Sequence, residues 1–288
     1  MNAPARGVTV VVPAWNAAPE LADCLDSLER TLPEGVAVLV ADDASPHPAV
    51  AAVADRFCTR RKGARYVRRE HNLGFIGNVN RAFAETAPDD VVLLNSDTIA
   101  TTGWLERLLA AARDPRVATA TPWSNNAEIC SFPQFCVPNP VPDEPDLVAV
   151  AAAGVPPQYP ELPTGVGFCM LVTRAALEAL GDFDAATFGR GYGEENDFCL
   201  RAAGHGWRNV LVDDAYVVHR GGASFGPAGL GPGGDNLRRL NARYPGYNAL
   251  VAGFILADPL RALRQQLAER LDALTRPGPQ RDLFDATR

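Results

Sequence analysis

The chain has 288 residues, 47% apolar and 21% charged, a balance that excludes a disordered chain and allows one large core. Its net charge of −7, with Lys62 the only lysine among 27 basic residues, excludes the broad cationic footprint of a nucleic-acid binder. The 25 glycines and 24 prolines have no triplet period, which excludes collagen; ten prolines fall between Pro122 and Pro163 and eight glycines between Gly221 and Gly246, marking two irregular segments.

The first 121 residues alternate strand and helix. Val8–Val12 is a short, β-branched, wholly apolar run, as expected of a strand covered on both faces. Leu21, Cys24, Leu25 and Leu28 then recur at helical spacing, with Pro19 suited to a first turn. Val36–Val40 reads as a second strand, Ala49–Phe57 as a helix and Arg65–Val67 as a third strand. Ile76, Val79 and Phe83 mark a helix, Val91–Leu94 a fourth strand, Trp104 to Leu109 another helix and Val117–Ala120 a strand. Such alternation predicts a parallel sheet with helices on both faces.

Residues 122–163 are Pro-rich and irregular, too long for an ordinary connection in a compact domain. Order returns with a strand at Gly167–Thr173, helices over Arg174–Leu180 and Glu194–Ala203, and a strand at Asn209–Val218. A Gly-rich segment, 220–235, precedes an amphipathic region and a helix over Leu260–Leu274. The longest apolar run, Ala249–Ala257, is far short of the ~20 residues of a membrane span and reads as a buried or interfacial piece. No leader of signal-peptide type is seen at the start. Six cysteines without CxxC spacing read as reduced core thiols, so a cytoplasmic protein is expected.

In an open parallel sheet, ligands bind beyond the carboxyl ends of the strands. Three strands end there in polar residues: Pro13-Ala14-Trp15-Asn16, Asp42-Asp43-Ala-Ser45 and Asn95-Ser96-Asp97-Thr98. One such ending is explained by a turn or a helix cap. Three at one edge point to a phosphate ligand bridged by Mg2+ or Mn2+, which take carboxylate and phosphate oxygens together. Gly229 to Gly234 spells GxGxxG but follows no strand directly and reads as a loop; a P-loop sequence is absent.

A helix starting near Glu194 puts Glu194, Asp197 and Arg201 on one face, where Asp197 and Arg201 form an i, i+4 pair on a solvated surface or at a site. Glu195 lies instead with Phe198, Cys199 and Ala202, pointing inward. A carboxylate there is costly unless paired or lining a pocket. The helix N-terminus favours its ionised form, which a general base needs. His219 closes the last strand before a Gly-Gly step and is a candidate metal ligand beside Asp97.

Together these residues resemble the family 2 glycosyltransferases, nucleotide-sugar enzymes with the GT-A fold. Val-Val-Val-Pro13-Ala14-Trp15-Asn16 is similar to the family's first strand and its PxYN-type ending, with Trp15 replacing the usual Tyr. Asp42-Asp43-Ala-Ser45 resembles the DDxS motif, which assigns the nucleotide base to Asp43. Asn72-Leu-Gly74-Phe75 and the following helix with Asn78 are similar to the NxGF segment near the nucleotide. Leu94-Asn95-Ser96-Asp97 sits at the DxD position, with Asn95 replacing the first Asp and Asp97 keeping the metal role. Thr164-Gly165-Val-Gly-Phe168 is similar to the segment lining the sugar and acceptor pocket. Tyr192-Gly-Glu194-Glu195-Asn-Asp197 is similar to the helix whose second acid is the base; Glu195 stands where the family usually has Asp, with Glu194 and Asp197 as fallbacks. His219-Arg-Gly-Gly-Ala-Ser224 is similar to the His-containing loop and strengthens the metal assignment of His219.

The resemblance implies a GT-A domain over 1–258, with a Rossmann-like nucleotide-binding half (1–121) and an acceptor half (122–258), followed by a helical tail (259–288). It implies inverting transfer with Mn2+ or Mg2+ as cofactor and Glu195 as base. The donor expected is UDP-, dTDP- or GDP-linked; the pattern is closest to bacterial rhamnosyltransferase-like and O-antigen-type members. The acceptor is a glycan, a lipid-linked or a small-molecule hydroxyl, with Trp123, Asn125 and Asn126 expected near it or near the sugar. No nucleic acid and no transmembrane segment are expected, and a peripheral membrane contact stays open. A loop of the Gly-rich segment is expected to close over the donor. The rival readings are a sugar-phosphate nucleotidyltransferase and a silent nucleotide-sugar-binding subunit.

Overall fold

Strand β1, Val8–Ala14, sets the frame: Val10 and Val12 enter the core on one face of the sheet, Val11 enters the core on the other, and all three are fully buried. The computed structural model describes residues 7–221 and 235–276. After β1 come α1 (Ala18–Thr31), β2 (Ala37–Asp42), α2 (Ala49–Arg60), β3 (Ala64–Arg68), α3 (Gly74–Glu85), β4 (Asp90–Leu94), β5 (Thr98–Ala100), α4 (Trp104–Ala111) and β6 (Val117–Trp123). A 3-10 turn at Glu128–Cys130 and α5 (Pro145–Ala153) precede β7 (Cys169–Val172), α6 (Arg174–Leu180), α7 (Ala185–Phe188), α8 (Glu194–Gly204) and β8 (Arg208–His219). Helices α9 (Asp235–Arg243), α10 (Tyr247–Ala257) and α11 (Arg261–Thr275) follow.

The apolar spacing read from the sequence is what packs the helices. Leu21, Cys24, Leu25 and Leu28 of α1 are buried on one side of the sheet, and Ile76, Val79 and Phe83 of α3 on the other. Each such burial contributes about 1.5–3 kcal/mol. All six cysteines are free thiols, and Cys24, Cys130, Cys169 and Cys199 are buried.

The sheet has eight strands in the order β3-β2-β1-β4-β7-β6-β8-β5. It is mixed: β1 pairs in parallel with β2 and β4, β2 with β3, and β6 with β8, whereas β7 runs antiparallel between β4 and β6, and β5 antiparallel to β8. The inserted β7 restores a common direction, so β1, β2, β4, β6 and β8 all end at one edge. That edge carries Pro13, Asp43, Asn95 to Asp97, Asn126 and His219, and β7 begins there beside Phe168.

Several expectations are corrected. The irregular segment 122–163 contains α5, whose Val148, Ala149, Ala151 and Ala152 are buried; after Asp146 in its first turn the run is wholly apolar, so it offers no polar stripe for periodicity to reveal. Strand β6 continues past Ala120 to Trp123. The run around Ala249–Ala257 forms α10, which has no buried residue, so its buried reading is overturned. No helix among the described residues is long and apolar enough to cross a membrane. The Gly-rich stretch with Gly229 to Gly234, Ser224 and the loop expected to close over the donor lie outside the described residues, except at their margins.

Candidate active site

A cleft of about 510 Å3 opens at this edge of the sheet. Of the residues singled out in the sequence, Pro13, Ala14, Trp15, Asp43, Asn72, Gly74, Phe75, Asn78, Ser96, Asp97, Gly165, Phe168, Glu194, Glu195 and His219 line it. They come from separate parts of the chain and meet because the strands that carry them end together.

At the β1–β2 side, the adjacent aspartates have different settings. Asp42 is fixed within the fold: its Oδ2 accepts the Tyr66 hydroxyl at 2.6 Å and its Oδ1 the Ser45 N–H at 2.9 Å. Asp43 faces the cleft, and its Oδ1 accepts the Leu73 N–H at 2.7 Å. Burial raises the Asp43 pKa, opposed by the N–H groups of Leu73 and Gly74. A carboxylate with one oxygen so held keeps acceptor sites for a donor N–H from a ligand. Gly74 starts α3 at φ +76, and a Cβ there would sit 3.1 Å from Arg190 Cα, so the tight approach of the two loops requires glycine. Asn78 is positioned by the fold, its amide donating to Ala41 O and accepting from Arg69, both at 2.8 Å.

Across the cleft, β5 pairs with the end of β8 and brings Asp97 to His219. The His219 ring stacks on Phe168, centroids 5.2 Å apart. Its Nδ1 lies 2.6 Å from Asn126 O; a carbonyl only accepts, so Nδ1 carries the hydrogen. Nε2, at 3.5 Å from Asp97 Oδ1, is then left to face a carboxylate with its lone pair, an arrangement satisfied by a proton or by a cation between them. Imidazole and carboxylate are a fitting donor pair for Mn2+ or Mg2+.

Helix α8 supplies the carboxylates. Gly193, at φ +100, caps its start and turns Glu194 and Glu195 toward the cleft. Glu194 is 3% exposed, and the two carboxyls hydrogen-bond to each other. Neither Glu194 Oε2 nor Glu195 Oε2 has another donor among the described residues. Burial, then the charge of Glu195, raises Glu194 well above an ordinary glutamate. Burial also raises Glu195, while N–H groups at the helix start and the Glu194 hydrogen bond pull it down. Both carboxyls are thus raised by burial, and as close neighbours they resist ionising together, so one proton stays with the pair. The expected preference of the helix end for ionised carboxylates is outweighed by burial for the pair as a whole.

Other expectations are revised by the geometry. Asp197 is not on a solvated face: it is fully buried and takes hydrogen bonds from Arg201 at 2.8 Å, Arg243 at 2.7 Å and the Tyr244 hydroxyl at 2.9 Å, away from the cleft lining. Trp123 does not reach the cleft, because β6 runs on through it; its ring is fully buried and donates to Asp213 O at 3.1 Å. Asn125 does not line it either, but holds the metal candidate's backbone: its side chain accepts from His219 N at 2.9 Å and donates to His219 O at 3.0 Å. Asn16 also stands outside the lining, at φ +57 with its N–H on Ser45 Oγ at 2.9 Å.

Asn126, expected near the sugar or acceptor together with Trp123 and Asn125, does line the cleft, whereas sequence reasoning missed Glu128, Arg190, Tyr192 and Tyr247, which line it from loops and from the start of α10. Glu128 sits at φ +48 in the 3-10 turn, its carbonyl held by the N–H groups of Ser131 at 3.0 Å and Cys136 at 3.2 Å. Its carboxyl is raised by desolvation and then by Glu195, a shift weakened by its exposure to cleft solvent. Tyr247 is pushed up to about 12, by burial first and then by Glu128 and Glu195. Glu128 and Tyr192 sit at positive φ, a backbone state that is not readable from a single sequence.

The family model described as glycosyl transferase family 2 matches residues 9–181. Among curated proteins, the chain is 28% identical over 244 residues to the N-acetylglucosaminyl-diphospho-decaprenol L-rhamnosyltransferase of Mycobacterium tuberculosis, covering 75% of this chain and 77% of that protein. Among solved structures, the mannosyltransferase PcManGT from Pyrobaculum calidifontis, in complex with GDP-Man and Mn2+, is similar at a TM-score of 0.55 and 18% identity, covering 94% of this chain and 87% of that one. S. aureus TarS in complex with UDP-GlcNAc is similar at a TM-score of 0.57 and 16% identity, covering 93% and 83%.

Proposed function

The chain belongs to glycosyl transferase family 2 and is a glycosyltransferase of the GT-A fold; on that premise we propose that it transfers a sugar, with inversion, from a nucleotide-diphosphate donor to an acceptor hydroxyl, with Glu195 as general base. What carries the reading is the meeting, in one cleft, of Asp43, the Asp97–His219 pair and the Glu194–Glu195 pair.

In this mechanism Asp43 accepts an N–H of the nucleotide base, while Pro13, Ala14, Trp15, Asn72, Gly74, Phe75, Asn78 and Ser96 wall the nucleotide. Asp97 and His219 would hold a Mn2+ or Mg2+ ion, which when bound neutralises charge on the donor diphosphate. Gly165 and Phe168 border the sugar. Glu195 removes the proton of the acceptor hydroxyl. The freed oxygen bonds to the anomeric carbon from the face opposite the nucleotide, and the bond to the diphosphate breaks with its electron pair leaving on phosphate. Glu194, protonated, donates to Glu195 and aligns it. Residues 1–121 serve the donor, 122–258 the acceptor, and 259–288 form an appended tail. A lipid-linked acceptor is the class we favour, supported by the rhamnosyltransferase relative that is named for a decaprenol-linked one. A cytoplasmic setting is part of the proposal, supported by six free thiols.

The test is a thermal-shift screen of UDP-, GDP- and dTDP-sugars with and without Mn2+, followed by measurement of nucleoside diphosphate release with acceptors. One donor class is expected to raise Tm in a Mn2+-dependent way and to be consumed. Stabilisation without any release would favour a silent binding subunit. Pyrophosphate release from a nucleoside triphosphate and a sugar phosphate would replace the proposal with nucleotidyl transfer.

A further inference from the structure

Helix α10 departs from the rule by which the other helices pack. Its sequence, YNALVAGFILA, is almost wholly apolar, yet none of its 11 residues is buried. Tyr247, Val251 and Phe254, spaced i, i+4 and i+7, are half-buried, and Tyr247 and Phe254 pack on the protein. Leu250, Ile255 and Leu256 stand outward at 48%, 38% and 86% exposure. At ~1.5 Å per residue α10 is about 16 Å long, roughly half the thickness of a hydrocarbon core, so it suits lying in a membrane surface and not crossing it.

The exposed charged side chains that flank it along the chain are mainly cationic. Between Asp235 and Asp258 the sequence has no carboxylate, while α9 carries Arg238, Arg239 and Arg243, and Arg261 opens α11, all in a chain of net charge −7; of these, Arg243 is taken up by Asp184 and Asp197. Arg238 and Arg261 have side-chain exposures of 78% and 68%, each paired with an aspartate at an end of this stretch. Exposed arginines beside an apolar helix match anionic headgroups above acyl chains. A second copy of the chain docked on the same face would instead bring like charges together. The strip is also continuous with the cleft, since Tyr247 at the head of α10 and Leu237 and Leu240 of α9 line it.

We propose that α10 docks the enzyme on an anionic lipid surface, with Leu250, Ile255 and Leu256 among the acyl chains and Arg238, Arg239 and Arg261 at the headgroups. The docked cleft would then open beside a lipid-linked acceptor; this deepens, and for its purpose rests on, the acceptor class proposed above. The experiment is co-sedimentation of the full chain with vesicles of phosphatidylcholine alone and with phosphatidylglycerol added, without donor or acceptor. Binding to the anionic vesicles is expected, with partition falling about tenfold or more in Leu250→Glu and in Leu256→Glu. Both sites are exposed, so Tm and the donor-induced thermal shift should stay as in the wild type. Absence of vesicle binding, equal binding by the variants, or a dimer that Leu256→Glu dissociates while vesicles remain unbound would each overturn docking. Vesicle binding combined with transfer only to water-soluble acceptors would sink the acceptor class and leave docking standing. Transfer to a lipid-linked acceptor in detergent, without vesicle binding, would do the reverse.

Discussion

Replacing Glu194 by Gln should stabilise the protein at neutral and alkaline pH and lose that advantage in acid. Glu194 is 3% exposed and is raised well above the free value of 4.5 by burial and by Glu195. In the unfolded chain this carboxyl loses its proton near the free value, whereas in the fold it keeps it to higher pH. Between those two limits the native state binds more protons than the unfolded state, so stability falls as pH rises through the window and is constant above it. Each pH unit of that window is about 1.4 kcal/mol, or roughly 2 °C in Tm for a domain of this size. Gln has no proton to lose, and its amide still donates to Glu195. Thermal melts of both proteins from pH 4 to 9 should therefore superpose below the free glutamate value and diverge upward, with the variant the more stable. Parallel curves, or a difference that widens toward acid, would refute the shared-proton assignment.

Glu195→Gln should lower turnover ~10²–10⁴-fold, about 2.7–5.4 kcal/mol in the barrier, with donor affinity nearly intact; wild-type turnover at saturating donor would remove the base role. Asp97→Ala and His219→Ala should each abolish the Mn2+-dependent part of the donor-induced Tm rise, and titrations with and without Mn2+ that match the wild type would end the ligand assignment. Asp197→Asn breaks charge-assisted bonds at 2.8 and 2.7 Å to Arg201 and Arg243. It should cost about 3 kcal/mol, the low end for a buried pair because Arg243 can turn to solvent, or roughly 5 °C in Tm. A neutral effect in calorimetry would show that the α8–α9 linkage carries no weight.

Much of the fold was legible because its signals are local. Val10 to Val12 and the spacing of Leu21 to Leu28 need no knowledge of their partners to declare a strand and a helix. The cleft was legible for the same reason, since polar residues directly after apolar strands mark the strand ends wherever those strands lie. What escaped was whatever depended on tertiary placement. Helix α5 is apolar on every side after Asp146 and gave no period, and β5 is three residues whose strand character comes only from pairing with β8. Trp123 follows a strand end in the sequence as read, but β8 extends alongside it and keeps it in the sheet. Glu128 enters the cleft through a positive φ imposed by hydrogen bonds from residues 131 and 136, a backbone state that glutamate itself does not announce.

The first turn of α8 shows why burial alone does not identify a catalytic carboxylate. Glu194 and Asp197 are both nearly inaccessible and lie three residues apart on one helix. Asp197 is answered by two guanidinium groups and a phenol, so its charge is stabilised where it stands and its role is to fasten α9 to α8. Glu194 and Glu195 have no such ion pair among the described residues; each faces the other and the cleft, and each retains a buried oxygen that lacks a donor outside the pair. Folding gains nothing from that arrangement, since the buried pair must hold a proton that the unfolded chain would release. A feature that lowers stability and aims its unmet hydrogen-bonding capacity into a cleft is accounted for by the molecule that fills the cleft. On this ground the proton acceptor is sought at Glu195 and not at Asp197, although the two are separated by one residue and are indistinguishable by charge.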